Sequence, residues 1–113
     1  MGDRANILVK IDNRDSGVYL YSHWGGTELP VILQEALAKR WRWQDAPYLT
    51  RIIFCEMVRG EEFGETGFGI STKCCDGDDR LLEVNCQTQL VIRQTDGKSW
   101  TFEEFIKEKH IGW

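Results

Sequence analysis

Two stretches near the N-terminus alternate hydrophobic and polar residues with the period of two that is typical of β-strands. In "ANILVKIDN", the apolar residues Ile7, Val9 and Ile11 share one face, which predicts a half-buried strand. "VYLYSHW" is rich in β-branched and aromatic residues, and it predicts a second strand. Because "RDSG" between the two stretches is typical of a turn, we expect the strands to pair as a hairpin.

The spacing of apolar residues then changes to the helical pattern of three and four. Gly25 and Gly26 break the second strand, and the hydroxyl of Thr27 is expected to cap the helix that follows. Pro30 is tolerated there, because the first N–H groups of a helix have no partner within it. The apolar stripe of this helix extends to Trp41, which predicts a core position for that side chain.

A second helical pattern begins at Asp45, which is expected to cap it, with Pro47 in its first turn. The segment "YLTRIIFCEMVRG" is apolar over most of its circumference, so we expect this helix to be largely buried. Cys55 is expected to belong to the core. Gly60 is expected to end the helix.

The second half of the chain predicts three strands and a last helix. The strands are "TGFGIST", "LLEV" and "QLVIR". Asp96-Gly97 predicts a tight turn after them. Thr101 and Glu104 match a capping box, and Trp100 and Phe105 stand where a hydrophobic staple would join them. We therefore expect a helix from about Phe102 to Lys109.

The predicted order is ββααβββα, within a single domain covering residues 1–113. Sequential hairpins favour an antiparallel sheet, so the expected fold class is α+β, with about five antiparallel strands and the helices packed on one face. The hydrophobic content of 42% and charged content of 28% fit a folded soluble protein. No apolar run approaches the roughly 20 residues of a membrane span. The N-terminus lacks a signal-peptide pattern, which predicts the cytoplasm of a bacterial cell.

The charge is unevenly distributed along the chain. Residues 1–60 carry eight Lys/Arg and seven Asp/Glu, and residues 61–113 carry six and eleven, for a total of −4. This acidity disfavours general binding to nucleic acid, which needs clustered Lys/Arg. It suits a partner with a basic face, because complementary potentials speed encounter, although net charge also serves solubility alone.

Metal and thiol chemistry have little support in the sequence. The four cysteines form no C-x-x-C pair, and His23 and His110 are far apart in sequence. We therefore expect no metal and no cofactor. Adjacent Cys74 and Cys75 leave a redox role open, but a reducing cytosol disfavours disulfides.

Three stretches together resemble a known group of proteins. They are "LYSHWGG" (Leu20–Gly26), "YLTRIIFCEM" (Tyr48–Met57) and "ETGFGIS" (Glu65–Ser71), within residues 17–93. The set is similar to small uncharacterised proteins of bacteriophages and prophages. The resemblance implies an accessory role, such as inhibition of host defence in the manner of anti-CRISPR proteins, by binding a host protein or sequestering a signal.

The preferred functional hypothesis is therefore a non-enzymatic protein that binds a host protein or ribonucleoprotein with a basic face. It would act through its acidic loops and a sheet edge, by charge pairing with Lys and Arg of the partner. The sequence leaves the partner's identity and the oligomeric state open. The predicted contact residues are Glu61, Glu62, Glu65, Asp76, Asp78 and Asp79.

The alternative is a small-molecule binder that holds a nucleotide-like anion at the strand-to-helix turn. Backbone N–H groups and a helix N-terminus favour anions, Trp24 would offer a stacking face, and Arg51 and Arg59 would add charge. The opposing interpretation is an ordinary tight turn with Trp24 in the core. The turn residues of this site are Ser22, His23, Trp24, Gly25, Gly26 and Thr27.

Three further interpretations are weaker. A small hydrolase using His23 ranks last, because no Cys or Ser can be placed beside it from the sequence. "KRWRW" at residues 39–43 mixes cations and aromatics as in nucleic-acid-binding surfaces, but it also fits a solvated helix end. "GETGFGIS" would let a partner backbone approach closely, or would be covered by a helix or a tryptophan.

Overall fold

A computed structural model describes residues 2–14, 16–75 and 79–113. The elements confirm the α+β class expected from the sequence. In chain order they are β1 (Ala5–Lys10), β2 (Val18–Ser22), a 3₁₀ turn (Gly26–Glu28), α1 (Leu29–Ala38), α2 (Ala46–Met57), β3 (Phe68–Ser71), β4 (Leu81–Asn85), β5 (Leu90–Arg93), β6 (Lys98–Thr101) and α3 (Phe102–Lys107).

The described strands form one sheet in the order β3-β2-β1-β4-β5-β6. β1 and β2 pair antiparallel, as the hairpin pattern predicts. The expectation of about five antiparallel strands is close to the structure but not exact, in two respects. β6 adds a strand after the Asp96-Gly97 turn, and β1 pairs with β4 in parallel, with Asn6 opposite Leu81 and Lys10 opposite Asn85. A parallel pair needs a long crossover, which α1, α2 and β3 supply here.

The hydrophobic core lies on one face of the sheet, where all three helices contribute to it. Strands β1, β2, β4, β5 and β6 supply every second residue, because side chains alternate between the two faces of a strand. The core residues include Ala5, Ile7, Val9, Leu20, Leu82, Val84, Val91 and Trp100 of the sheet, and Leu29, Leu33, Leu37, Leu49, Ile53, Phe102 and Phe105 of the helices.

β1 is buried on both faces, so the prediction of a half-buried strand is wrong. On the face opposite the helices, the Asn6 side chain donates to the Cys75 carbonyl over 3.2 Å. Lys10 forms an ion pair with Glu83 at 3.8 Å on the same face. These contacts satisfy polar groups that are costly to bury alone. Ile11 lies beyond the end of the strand and is 67% exposed.

α1 ends earlier than the apolar stripe predicts. The chain leaves the helix after Ala38, and Arg40 and Arg42 both have positive φ, at 60° and 59°. These left-handed residues redirect the chain, so Trp41 is 59% exposed and its predicted core position is wrong. Trp43 packs against the core instead, and its indole N–H donates to the Leu37 carbonyl over 3.1 Å.

α2 follows its predicted boundaries closely. Asp45 is the N-cap residue, but its side chain makes no capping hydrogen bond, so the expected side-chain cap is absent. Pro47 lies in the first turn, and Gly60 has φ of +83° three residues after the helix ends at Met57. Ile52 and Ile53 are buried, as expected for the apolar side. The expectation that Cys55 belongs to the core is wrong, because it lies on the face of the helix that points to solvent.

The predicted capping box of α3 is confirmed. The Glu104 N–H donates to the Thr101 hydroxyl over 3.1 Å, and the Thr101 N–H donates to the Glu104 carboxylate over 2.8 Å. The rings of Trp100 and Phe105 meet edge to face with centroids 5.3 Å apart, which is the staple contact. The helix ends at Lys107, two residues before the expected end.

Candidate functional site

The turn between β2 and α1 uses its backbone N–H groups within the protein. The Gly25 N–H donates to the Ser22 hydroxyl over 3.1 Å. The Gly26 N–H donates to the Asp3 carbonyl over 2.7 Å, and the Thr27 N–H donates to the Asp3 carboxylate over 3.0 Å. An anionic ligand at this turn would therefore have to displace a carboxylate that the chain itself supplies.

Asp3 thus performs the capping role that the sequence assigned to Thr27. Thr27 donates its hydroxyl to the Asp3 carboxylate over 2.9 Å, and no hydrogen bond from its side chain caps either the 3₁₀ turn or α1. Arg80 donates to the same carboxylate over 2.7 Å and to the Thr27 hydroxyl over 3.2 Å. The Thr27 N–H, followed by Arg80, lowers the pKa of Asp3 below its ordinary value.

The aromatic residues of this turn pack against the start of β3. Gly67 has φ of +105°, and a Cβ there would lie 3.1 Å from the Trp24 ring, so the interpretation of a tryptophan over the glycine segment is confirmed at Gly67. Trp24 is nevertheless 59% exposed, so it is not a core aromatic. His23 meets the Trp24 ring edge to face and shares a hydrogen bond of 2.7 Å with the Tyr21 hydroxyl.

The two arginines of the predicted anion site lie elsewhere. Arg51 and Arg59 line a cleft on the exposed side of α2 together with Trp41. Within the described part of the chain, Arg59 bonds to the buried carboxylate of Glu56, and Arg51 approaches the Cys55 sulfur at 3.9 Å. The structure therefore does not bring the arginines and the turn together into one site.

The predicted acidic contact residues fall into two groups. Glu61, Glu62 and Glu65 lie on the connection between α2 and β3, and Asp79 precedes β4; all four are exposed. Asp76 and Asp78 lie outside the described residues. We call residues Glu61–Glu65 the acidic loop.

Hydrogen bonds fix the shape of the acidic loop. The Glu61 N–H donates to the Val58 carbonyl over 2.7 Å, and the Gly64 N–H donates to the Glu61 carbonyl over 3.1 Å. The Gly60 N–H donates to the Glu62 carboxylate over 3.0 Å, which lowers the pKa of Glu62 and keeps it ionised near neutral pH. The loop therefore presents its charges on a defined backbone.

Phe63 lies at the middle of the acidic loop and is 100% exposed. It stands between Glu62 and Gly64, with Glu61 and Glu65 on either side. The charge pattern of the loop does not indicate Phe63, because that pattern concerns only the carboxylates. What indicates its exposure is the sequence around it, since an aromatic residue in an acidic, glycine-containing turn does not contribute to a hydrophobic core.

A groove in the described structure is separate from both predicted sites. It has a cavity volume of about 550 Å³ and lies between the end of the β1–β2 hairpin and the start of α2. Its walls include Val9, Val18, Ala46 and Thr50, with Arg14 at the rim. The groove is mainly apolar, and its walls include none of the predicted acidic or turn residues that the structure describes.

The described residues offer little for metal or thiol chemistry. They contain no cluster of three His, Cys, Asp or Glu side chains that could hold a metal ion. Cys86 is buried, and burial raises the pKa of its thiol to about 11, which keeps it protonated and unreactive near neutral pH. None of the described helices combines the length and apolarity needed to cross a bilayer.

Comparison with known protein families, curated proteins and solved structures finds no match to this chain.

Proposed function

We propose that this protein is a non-enzymatic binding protein that attaches to a basic face of a host macromolecule through the acidic loop. The observation that carries the proposal is Phe63, fully exposed between the carboxylates of Glu61, Glu62 and Glu65. An aromatic side chain that enters a pocket supplies much of the energy of an interface, while flanking charges speed and orient the encounter. The loop combines both features.

The internal hydrogen bonds of the acidic loop support the same proposal. Ordering a flexible loop on binding costs about 0.5–1.5 kcal/mol for each immobilised side chain. Here the bond from the Gly60 N–H to Glu62 and the turn closed by Gly64 hold the backbone before any partner arrives. Glu61 and Glu65 remain exposed for pairing with Lys or Arg.

The proposed partner is a host protein or ribonucleoprotein with a basic face, and specifically a component of a bacterial defence system. The resemblance to phage and prophage proteins supports this context. The excess of acidic residues after position 60 supports the sign of the partner's surface. We accordingly propose the bacterial cytoplasm as the place of action.

The experiment compares four forms of the tagged protein in affinity purification from a bacterial lysate. They are the wild type, Phe63→Ala, the double variant Glu61→Lys with Glu65→Lys, and the control Glu35→Lys on the exposed side of α1. Glu62 is left intact because its carboxylate holds the loop. Mass spectrometry then identifies the proteins retained by each form.

We expect a specific bacterial protein to be retained by the wild type and by Glu35→Lys, and lost by both loop variants. Raising the salt concentration should weaken retention by the wild type. The Debye length, about 8 Å at physiological ionic strength, becomes shorter, so the attraction between the loop and the partner is screened more strongly. The same loop variants should lose activity in a phage-protection assay. Equal retention by all four forms would show that the acidic loop is not the binding surface.

A further inference from the structure

β3 is an edge strand whose outer side is unpaired in the described structure. β2 pairs with it from Tyr19 opposite Ser71 to Ser22 opposite Phe68. The His23 N–H donates to the Gly67 carbonyl over 2.8 Å, so these two residues are a hydrogen-bonded pair and the next pair, Ser22 with Phe68, is not. In an antiparallel pair, hydrogen-bonded residues alternate with outward-facing ones. The N–H and C=O groups of Phe68 and Ile70 therefore point away from the sheet.

The outer edge of β3 lacks the usual protection against pairing with another chain. Edge strands are commonly blocked by proline, by inward-pointing charges or by lysine, and β3 contains none of these within its four residues. β6 at the opposite edge begins with Lys98 and passes directly into α3. The two edges of the sheet therefore differ in how open they are to an added strand.

β3 has open space above its face at a glycine and an exposed apolar side chain next to it. A Cβ placed on Gly69 would meet no atom within 4 Å, so the space above this residue is open. Ile70 is 60% exposed although it is a large apolar side chain in the middle of the sheet's edge. Glycine in a strand often marks the close approach of another backbone. These features fit an added strand that would cover Ile70.

The acidic residues near this edge indicate that the added strand carries basic side chains. Glu65 precedes Phe68 by three residues, which an extended chain spans in about 10 Å. Glu61 and Glu62 belong to the same loop and are exposed. A strand that pairs with β3 would therefore pass within reach of the Glu65 carboxylate, and Lys or Arg in it would find complementary charge there.

We propose that the outer edge of β3 binds an extended segment of the partner as an additional strand, and that this segment carries Lys or Arg beside an apolar residue. The inference rests on the proposed function and names the form of the partner's binding segment. Backbone hydrogen bonds to Phe68 and Ile70 would supply affinity, and the acidic loop with Ile70 would supply specificity.

The test uses the full chain and a synthetic ten-residue peptide that alternates valine and lysine. Two control peptides have glutamate in place of lysine, or N-methyl groups on every amide. Hydrogen exchange by NMR follows the amides of Phe68 and Ile70. At about ten times the dissociation constant, their exchange should slow about tenfold, because only the unbound fraction exchanges. Both control peptides should leave it unchanged.

Two variants separate backbone pairing from side-chain contact. Ile70→Pro removes the outward N–H and should therefore abolish peptide binding. The variant should still fold, because edge strands tolerate proline where the N–H faces solvent. Ile70→Thr keeps the N–H and should retain it. Circular dichroism checks that Ile70→Pro folds; if it does not, Ile70→Lys serves as the blocking variant, because it repels the lysine peptide and protects the edge by charge.

Several results would overturn the inference. They are unchanged exchange at Phe68 and Ile70, equal binding of the glutamate peptide, and retained binding by the blocking variant. Dimerisation of the wild type that Ile70→Pro removes would assign the edge to a second copy of this chain instead. In the lysate experiment, loss of capture by the loop variants but not by Ile70→Pro would disprove the inference and leave the proposed function intact.

Discussion

Replacing Asp3 with alanine removes one acceptor that serves three hydrogen bonds. Its carboxylate receives the Thr27 N–H, the Thr27 hydroxyl and an Arg80 N–H, at 3.0, 2.9 and 2.7 Å. The residue ties the N-terminal segment to the start of the helical region and to the chain just before β4. Asp3→Ala should therefore destabilise the whole domain rather than one end of it.

The expected loss of stability in Asp3→Ala can be estimated from the hydrogen bonds and the ion pair that the carboxylate makes. Loss of a side-chain cap at a helical N-terminus costs about 1 kcal/mol. The ion pair with Arg80 adds less than a buried pair would, because the Asp3 and Arg80 side chains are 35% and 24% exposed. Such an exposed pair contributes about 0.2–1 kcal/mol. With the loss of the Thr27 hydroxyl bond, we expect Asp3→Ala to lower the free energy of unfolding by about 2 kcal/mol.

Urea unfolding of the wild type, Asp3→Ala, Asp3→Asn and Thr27→Ala measures this effect. Thr27→Ala keeps the backbone bond to Asp3, so it should cost less than Asp3→Ala. Because the pKa of Asp3 is lower in the folded protein than its ordinary value of 3.8, its contribution is complete above that value. The contribution is lost as the pH falls through the lowered pKa, so the advantage of the wild type over Asp3→Asn should shrink there.

Two results would refute this reasoning. One is a loss of less than about 0.5 kcal/mol in Asp3→Ala, well below the usual effect of a lost cap. The other is a difference between the wild type and Asp3→Asn that stays constant from about pH 6 to about pH 2. Inorganic phosphate gives an independent check of the turn. It should stabilise Asp3→Ala, in which the Thr27 N–H and the Arg80 guanidinium have lost their carboxylate acceptor, more than the wild type.

Three further predictions concern the core, the last helix and a thiol. Thr101→Ala should lower the free energy of unfolding by about 1 kcal/mol, and an unchanged urea midpoint would argue against the capping box. Ile53→Ala should cost about 2–5 kcal/mol because its side chain is fully buried, and a loss below about 0.5 kcal/mol would contradict that burial. Cys86, with its pKa raised to about 11, should resist alkylation near neutral pH while exposed Cys55 reacts; equal labelling of both, measured by mass spectrometry, would contradict the burial of Cys86.

Local patterns in the sequence predict the structure well where both partners are close along the chain. Thr101 and Glu104 are three residues apart, so the capping box is visible in the sequence and is confirmed. The same method fails at Thr27, because its partner Asp3 is 24 residues away. The parallel pairing of β1 with β4 is equally remote and leaves no local pattern.

Helical periodicity predicts which residues would share a face, but it does not show where a helix stops. The apolar stripe of α1 continues in sequence to Trp41, while the left-handed backbone at Arg40 ends the helical path. Trp43, two residues later, packs against the core instead. Burial of Trp41 or Trp43 thus depends on the left-handed backbone at Arg40 and Arg42, which most residue types tolerate poorly and which the sequence does not signal.

The candidate site was partly visible in the sequence. Charge counts identify Glu61, Glu62 and Glu65, and the structure exposes all three. The exposure of Phe63 is indicated only by its acidic, glycine-containing surroundings, because a phenylalanine considered by itself is usually expected to join the core. The outward N–H of Ile70 depends on the register between β2 and β3, which is set by tertiary pairing.

The parallel pair at the centre of the sheet has a consequence for the order of folding. β4, β5, β6 and α3 follow one another along the chain, so their contacts close only short loops. Pairing Asn6 with Leu81 instead closes a loop of about 75 residues, at an entropy cost near 4 kcal/mol. We therefore expect the C-terminal strands to assemble first and to serve as the template on which β1 docks. The step that joins β1 to β4 then sets the folding rate, so the middle of the finished sheet is the last part to form.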